Sequence, residues 1–232
     1  MNNFSLSVVL PAFNEEKNIH QTVSNCIDYL SKNFDEYEIL VIDDGSYDKT
    51  GEIVSKLIRQ HSELRLIRHE TNLGYGAALN SGFENSTKKY IFLMDSDGQF
   101  DINDMDRMVS LVTGNNLVLG YRISRADNFI RTLNAFFYNL YIRILFGLKV
   151  KDIDCAFKLI PKSAFDTVKP LKSKGALFSA ELLIKIVKNG YGISEVGVKH
   201  FPRELGEQSG ANLSVILKMF KESWEFRKEL LK

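Results

Sequence analysis

The sequence predicts an α/β fold with a mostly parallel central sheet and helices on both faces. Three observations carry this. From residue 4 to about residue 95, short apolar runs alternate with runs of helical period, the pattern of strand–helix units whose strands lie parallel. Two of the apolar runs close on acids, Asp43-Asp44-Gly45-Ser46 and Asp95-Ser96-Asp97-Gly98-Gln99. A third turn, Asn72-Leu73-Gly74-Tyr75-Gly76, opens a helix of small residues. Open α/β sheets gather their ligands outside the carboxyl ends of the strands, so both acid pairs are expected at one edge.

Leu6 to Leu10 reads as the first strand, and Pro11 is expected to end it because it brings no N–H to a ladder. Asn14 is positioned to cap the helix carried by Ile19, Val23, Cys26, Ile27 and Leu30. Tyr37 to Ile42 is the second strand, and Asp48 can cap the next helix, whose stripe is Ile53, Val54, Leu57 and Ile58. Leu64 to Ile67 is the third strand. Ala77, Ala78, Leu79 and Gly82 then make a helix able to lie close to the sheet. Ile91 to Met94, short and bulky, is the strand that delivers Asp95 and Asp97. Beyond it come a helix around Met105 and Met108, a strand from Leu117 to Leu119, and an aromatic-rich segment from 129 to 150 whose charges are all basic. Asp152-Ile153-Asp154-Cys155-Ala156-Phe157-Lys158 leads into a further strand. A helix from about Ser179 to Asn189, closed by Gly190, a strand from Ile193 to Val198, a polar loop at 200–210 and an amphipathic helix around Trp224 complete the chain. No linker, repeat or low-complexity tract divides the 232 residues, so one catalytic-size domain is expected, with a boundary between halves near residue 120.

The hydrophobic fraction of 44% and charged fraction of 25% are those of an ordinary globular protein, and the formal charge of +1 gives no general attraction to nucleic acid. Cys26 and Cys155 cannot build a disulfide framework or a zinc site, which fits a reducing compartment. No secretory leader is visible and no run reaches the roughly 18 apolar residues of a membrane span. A cytoplasmic location is expected, at the inner face of the membrane if the amphipathic segments touch lipid.

Two carboxylates one residue apart repel unless a cation lies between them, and Asp95 and Asp97 suit a hard divalent ion with oxygen ligands; the other reading is an acidic turn without a ligand. A dinucleotide site is disfavoured, because Pro11 to Glu15 stands where a Gly-x-Gly-x-x-Gly turn would be needed.

Pro11-Ala12-Phe13-Asn14-Glu15, Asp43-Asp44-Gly45-Ser46, Asn72-Leu73-Gly74 and Asp95-Ser96-Asp97-Gly98-Gln99 stand in the order and spacing of family 2 glycosyltransferases. Asp154-Cys155-Ala156-Phe157-Lys158 and Arg203 to Ser209 look most like the dolichol-phosphate mannose synthase and polyprenyl-phosphate branch, which often carries Ser or Thr and Gly where this chain has Cys155-Ala156. The resemblance covers residues 4 to about 212. It implies a GT-A fold, a nucleotide-sugar donor (UDP- or GDP-sugar), Mg²⁺ or Mn²⁺, and inversion at the anomeric carbon. Carried over residue by residue, Pro11, Phe13 and Glu15 line the nucleotide pocket, Asp43 or Asp44 holds the base or ribose, and Asp95, Asp97 and Gln99 gather at the metal. Arg122, Arg131 and Arg203 are candidates for stabilising the departing diphosphate, with Arg203 preferred. Asp154 or Asp152 is the base for a hydroxyl acceptor, whereas a polyprenyl phosphate is already anionic and needs its charge neutralised. The alternatives are a glycan or protein hydroxyl as acceptor, and a nucleotide-sugar-binding module without turnover.

The segment at 129–150 and the last helix are each expected either to lie in a membrane interface or to pack on the core. Relatives of this branch often carry membrane helices after the catalytic part, so peripheral membrane contact or a membrane-protein partner is the expected form of attachment.

Overall fold

The computed structural model describes residues 4–123, 129–173, 175, 177–203, 205 and 213–230, with the backbone alone at 129–132 and 213–220. The chain builds β1 (Leu6–Ala12), α1 (Ile19–Asn33), β2 (Tyr37–Asp43), α2 (Thr50–Ile58), β3 (Leu64–Arg68), α3 (Tyr75–Asn85) and β4 (Tyr90–Met94). After a single 3₁₀ turn come α4 (Met105–Val109), β5 (Leu117–Arg122), α5 (Phe129–Phe146), β6 (Phe157–Pro161), α6 (Lys162–Asp166), α7 (Phe178–Lys188), β7 (Ile193–Val198) and α8 (Leu213–Leu230).

The strands form one seven-stranded sheet in the order β3-β2-β1-β4-β6-β5-β7. All neighbours are parallel except β6, which runs antiparallel to both β4 and β5. The mostly parallel sheet expected from the sequence is therefore present, with one reversed strand inserted where the second half joins the first. Side-chain alternation sorts the core into two layers. Val9, Leu40, Ile42, Ile91, Leu93, Leu117 and Leu119 face one side with residues of α3, α5, α6, α7 and Phe226 of α8. Val8, Leu10, Ile39, Val41, Phe92, Val118, Phe157 and Leu159 face the other with α1, α2 and α4. Helices thus cover both faces, as a sheet buried on both sides demands.

Local chemistry differs from expectation at two places. β1 runs through Pro11 to Ala12, with Pro11 opposite Ile42. This is tolerated because pairing with β4 has already ended at Val9–Leu93, so the missing N–H leaves no ladder bond unmade on that side. Asn14 caps no helix, since α1 begins only at Ile19. It adopts the left-handed conformation (φ 55°) that Asn tolerates better than most residues. Its N–H donates to Ser46 Oγ (2.9 Å) and its Oδ1 accepts from the Tyr47 N–H (3.1 Å). Asp48 instead serves just ahead of α2, accepting from the Thr50 N–H at 2.9 Å. Gly82 lets α3 lie on the sheet as its composition suggested: a Cβ there would stand 2.3 Å from Val9 Cγ1.

Candidate active site at the carboxyl edge of the sheet

The ends of β1, β2 and β4 and the start of β6 meet at one edge. At the β1 end, the buried Pro11 offers its carbonyl to Ser96 Oγ (2.6 Å), which ties the strand end to the Asp95–Asp97 turn. Phe13 is half-buried and meets the Tyr47 ring edge-on, centroids 5.8 Å apart; Tyr47 itself is 86% exposed. Glu15 is buried, and its carboxylate takes hydrogen bonds from Asn18 Nδ2 (2.7 Å) and Arg203 Nη2 (2.8 Å). Its pKa is raised by burial, against the opposing pull of Asn18 and Arg203.

The two acids after β2 are both turned inward. Asp43 is fully buried, accepts from the Ser46 N–H (2.9 Å), and has Arg68 Nε 3.1 Å from its Oδ2. Asp44 accepts from the N–H groups of Leu73 and Gly74, each at 2.9 Å, and shares a 2.6 Å hydrogen bond with His69 Nδ1. His69 Nε2 in turn meets Ser81 Oγ at 2.9 Å. Asp44 thereby fixes the glycine turn at 72–74 and the start of α3, and Asp43 fixes its own turn at Ser46 and holds Arg68. The aromatic pair Phe13–Tyr47 is the part of this corner open to a planar ring. Tyr47 escaped the sequence reading, although its place directly after the acid-glycine-serine turn is a usable signal.

After β4, Asp95 Oδ1 accepts from the Tyr75 hydroxyl at 2.9 Å, and Asp97 Oδ2 lies 3.6 Å from Arg203 Nη1. Burial, then the neighbouring Asp97, push the Asp95 carboxyl up to about 7. Burial and Asp95 push the Tyr75 phenol upward too, so it keeps the proton it donates. Asp95 is half-buried and Tyr75 and Asp154 are exposed, so each reaches solvent despite the protein packed around it. Water reaching them tempers the effect of that crowding. Gln99 donates from Nε2 to the Phe201 carbonyl (2.8 Å), and the Phe201 N–H donates back to the Gln99 carbonyl (2.9 Å). It thereby latches the 199–203 segment to the β4 end. Arg203 arrives on that segment and is held by Glu15, Asp97 and the Leu205 carbonyl (2.9 Å).

The second acid pair comes from the turn before β6. Arg122, at the end of β5, makes a two-pronged contact with Asp152: Nε to Oδ2 at 2.7 Å and Nη2 to Oδ1 at 2.8 Å. Asp154 lies two residues on. Burial and then Asp152 raise its pKa to about 6, with Lys158 and Arg122 holding it down. Lys158 itself is fully buried beneath this turn and donates to the Cys155 carbonyl. The side chain of Arg131 lies outside the described residues, as do Glu204 and 206–212 of the late loop.

A divalent cation is compatible with this edge. Asp95 carries a carboxyl destabilised by burial and by a second acid, which is the environment a cation relieves. Among the described residues no group of three or more His, Cys, Asp and Glu side chains gathers as a self-sufficient metal site. That fits an ion held by one or two carboxylates and completed by phosphate oxygens and water, rather than an all-protein cage.

Residues 7–169 match the sequence model of Glycosyl transferase family 2. The chain belongs to this family. It is therefore a glycosyltransferase, and the sheet order with its reversed strand is the GT-A fold expected from the motifs. A dolichyl-phosphate beta-glucosyltransferase from Dictyostelium discoideum is 29% identical over 85% of this chain and 67% of its own length. A dodecaprenyl-phosphate galacturonate synthase from Rhizobium johnstonii is 30% identical over 87% of this chain and 60% of its own. This chain thus spans about two thirds or less of these relatives. Among solved structures, glucosyl-3-phosphoglycerate synthase from Mycobacterium tuberculosis in complex with Mn²⁺ and uridine-diphosphate-glucose superposes with a TM-score of 0.67 at 21% identity, covering 97% of this chain and 79% of that one.

Proposed function

We propose that the protein moves a sugar from a nucleotide-sugar donor to the phosphate of a polyprenyl phosphate, with a divalent metal and inversion at the anomeric carbon. The observation that carries this reading is the pair of acid–guanidinium sets meeting across the β4–β6 seam. Asp95 and Asp97 stand with Arg203 on one side, and Asp152 and Asp154 with Arg122 on the other. The names of the relatives with dolichyl and dodecaprenyl phosphates support the acceptor, and the neighbour bound to Mn²⁺ and uridine-diphosphate-glucose supports the donor and metal.

In this reading Phe13 and Tyr47 flank the base, and the 72–74 turn, braced by Asp44, closes the ribose side. Asp95 and Asp97, with the oxygen of Gln99, would hold Mg²⁺ or Mn²⁺, and such an ion would supply positive charge for the departing diphosphate. Arg203, already poised between Glu15 and Asp97, adds a guanidinium where that charge develops. Arg122, oriented by Asp152, receives the acceptor phosphate. A phosphate monoester loses its second proton near pH 6, close to the raised pKa of Asp154. Asp154 is thus matched to take that last proton as the phosphate oxygen attacks the face opposite the leaving group.

The helix α5 supports a lipid-borne acceptor. Leu133, Phe136, Phe137, Leu140 and Ile144 recur at helical spacing and are 39–76% exposed. The opposite side of α5 buries Tyr138 and Ile142, and Tyr141 bonds Ser223 of α8 at 2.7 Å. The helix therefore packs on the core by one face, as one of the two expectations had it, and offers an apolar face outward. No helix among the described residues is long and apolar enough to cross a membrane, and peripheral contact through α5 is the form of attachment this surface supports.

The test is transfer of radiolabelled sugar from a panel of UDP- and GDP-sugars with Mg²⁺ or Mn²⁺. Label in a solvent-extractable lipid supports the proposal. Label only in soluble saccharide replaces the acceptor with a hydroxyl, and donor binding without turnover across acceptors replaces the whole reading with a binding module.

A further inference from the structure

The turn that presents Asp152 and Asp154 is held from several sides, and one hold comes from the helix with the apolar outward face. The Lys151 N–H donates to Glu195 Oε1 of β7 (2.7 Å), Asp152 receives Arg122 of β5, and Lys158 of β6 donates to the Cys155 carbonyl. The residue between the two acids is held by α5. The Ile153 N–H donates to Asn139 Oδ1 at 3.0 Å, and Asn139 Nδ2 donates to the Ala135 carbonyl, one turn back in the same helix, at 2.9 Å. Ile153 is fully buried, in the core layer that also holds Tyr138 and Ile142 of α5.

The chemistry of this joint calls for an amide. Its partners are a backbone donor on the turn and a backbone acceptor on the helix, and a carboxamide offers an oxygen and an NH₂ group on one short planar stem. Asn is a weak helix former, so helix formation does not account for it deep inside an 18-residue helix; the contact with the turn does. We propose that Asn139 is a positioning residue for the acceptor, fixing the Asp152–Asp154 turn to α5. The groups proposed to receive the acceptor phosphate then keep a set position relative to the apolar face proposed to hold its lipid. Such a device matters for a phosphate whose reach is limited by an anchored chain, because a misplacement of about 1 Å can cost a large factor in rate. The inference rests on the proposed function for the identity of the acceptor, and on geometry alone for the joint.

The test reads the joint and its consequence separately. Amide hydrogen exchange at Ile153, followed by ¹H–¹⁵N NMR, should be about 10-fold or more faster in Asn139→Leu than in the native protein. In transfer assays Asn139→Leu should show kcat/KM for polyprenyl phosphate lowered by about 10-fold or more, at unchanged donor KM. Tyr141→Phe removes the 2.7 Å bond from α5 to Ser223 without touching the turn, and should keep both readings at native values. Ile153 exchange as slow in folded Asn139→Leu as in the native protein overturns the joint. Faster exchange with native acceptor kinetics, a donor KM that rises equally, or the same acceptor loss in Tyr141→Phe overturns the positioning role. Where Asn139→Leu shows no cooperative thermal transition, Asn139→Ala is read by the same criteria. If the native protein transfers sugar to a hydroxyl and to no lipid phosphate, the proposed function fails, and the same comparison made with that hydroxyl acceptor upholds or overturns the inference. Transfer to no acceptor at all overturns both.

Discussion

Asp95 and Asp97 share the β4 end but differ in surroundings, and substitutions should separate them. Asp97 faces Arg203 across 3.6 Å. Asp97→Asn should lower turnover by about 10²–10³-fold and leave the thermal transition within a degree or two; near-native activity would remove Asp97 from the site. Asp95 is braced by the Tyr75 hydroxyl, so Tyr75→Phe should weaken Mn²⁺ binding by about 2–10-fold, the value of one net hydrogen bond, as read by EPR titration. Protons compete with a cation for Asp95, whose carboxyl sits near 7. Apparent metal affinity should therefore fall as pH drops from 8 to 6, and fall further in Tyr75→Phe, because that hydroxyl favours the ionised form. An affinity flat across this range would contradict the assignment. The paired acids were legible in the sequence because spacing and strand ends reveal them. The role of Tyr75 was not, because it acts through a contact 20 residues along the chain.

Single helices and strands place these groups by close fit, and their tolerances are testable in the same way. α3 lies on β1 through Gly82, and Gly82→Leu should cost about 1–3 kcal/mol through overpacking, seen as a shifted urea midpoint with unchanged slope. At the amino ends of β1, β2 and β4, Glu38 accepts from Ser7 Oγ (2.7 Å), the Thr87 N–H (2.7 Å), Thr87 Oγ1 (2.8 Å) and Arg65 (2.9 Å). Burial alone would raise its pKa, but these donors outweigh it and the net shift is downward. A carboxylate lowered on folding contributes stability that is present above its unfolded pKa and is lost as pH falls through the folded one. Glu38→Gln should therefore cost about 1–3 kcal/mol at pH 7, with the gap to the native protein closing toward pH 3 in denaturant titrations. Element boundaries followed hydrophobic period closely for β7 and α3. They departed at Pro11 and Asn14, where the deciding contacts come from Ile42, Ser46 and Tyr47, more than 25 residues away in sequence. The reversal of β6 was also hidden, since an apolar run of five residues carries no sign of its direction.

Across the whole molecule, the proposed lipid contact falls on the outward apolar face of α5. Replacing Phe136, Phe137 and Ile144 together by Ser removes apolar area worth a few kcal/mol if it is buried in lipid, at about 25 cal/mol per Å². The triple variant should float poorly with anionic liposomes and show a KM for long-chain polyprenyl phosphate raised by about 10-fold or more, at unchanged donor KM. Equal flotation of variant and native protein would detach α5 from the membrane. Periodicity alone leaves the two sides of α5 unsorted, because aromatics stand on both: Phe136 and Phe137 are exposed and Tyr138 is buried. The reversed strand β6 has a consequence of another kind. Since Phe157 enters the sheet opposite Met94, where β4 leaves it, the chain turns two positions about 60 residues apart into fixed neighbours. Everything between them is a detour that departs from one point and returns beside it. Such a detour can lengthen, shorten or change its cargo without altering the spacing of the acids at its two ends.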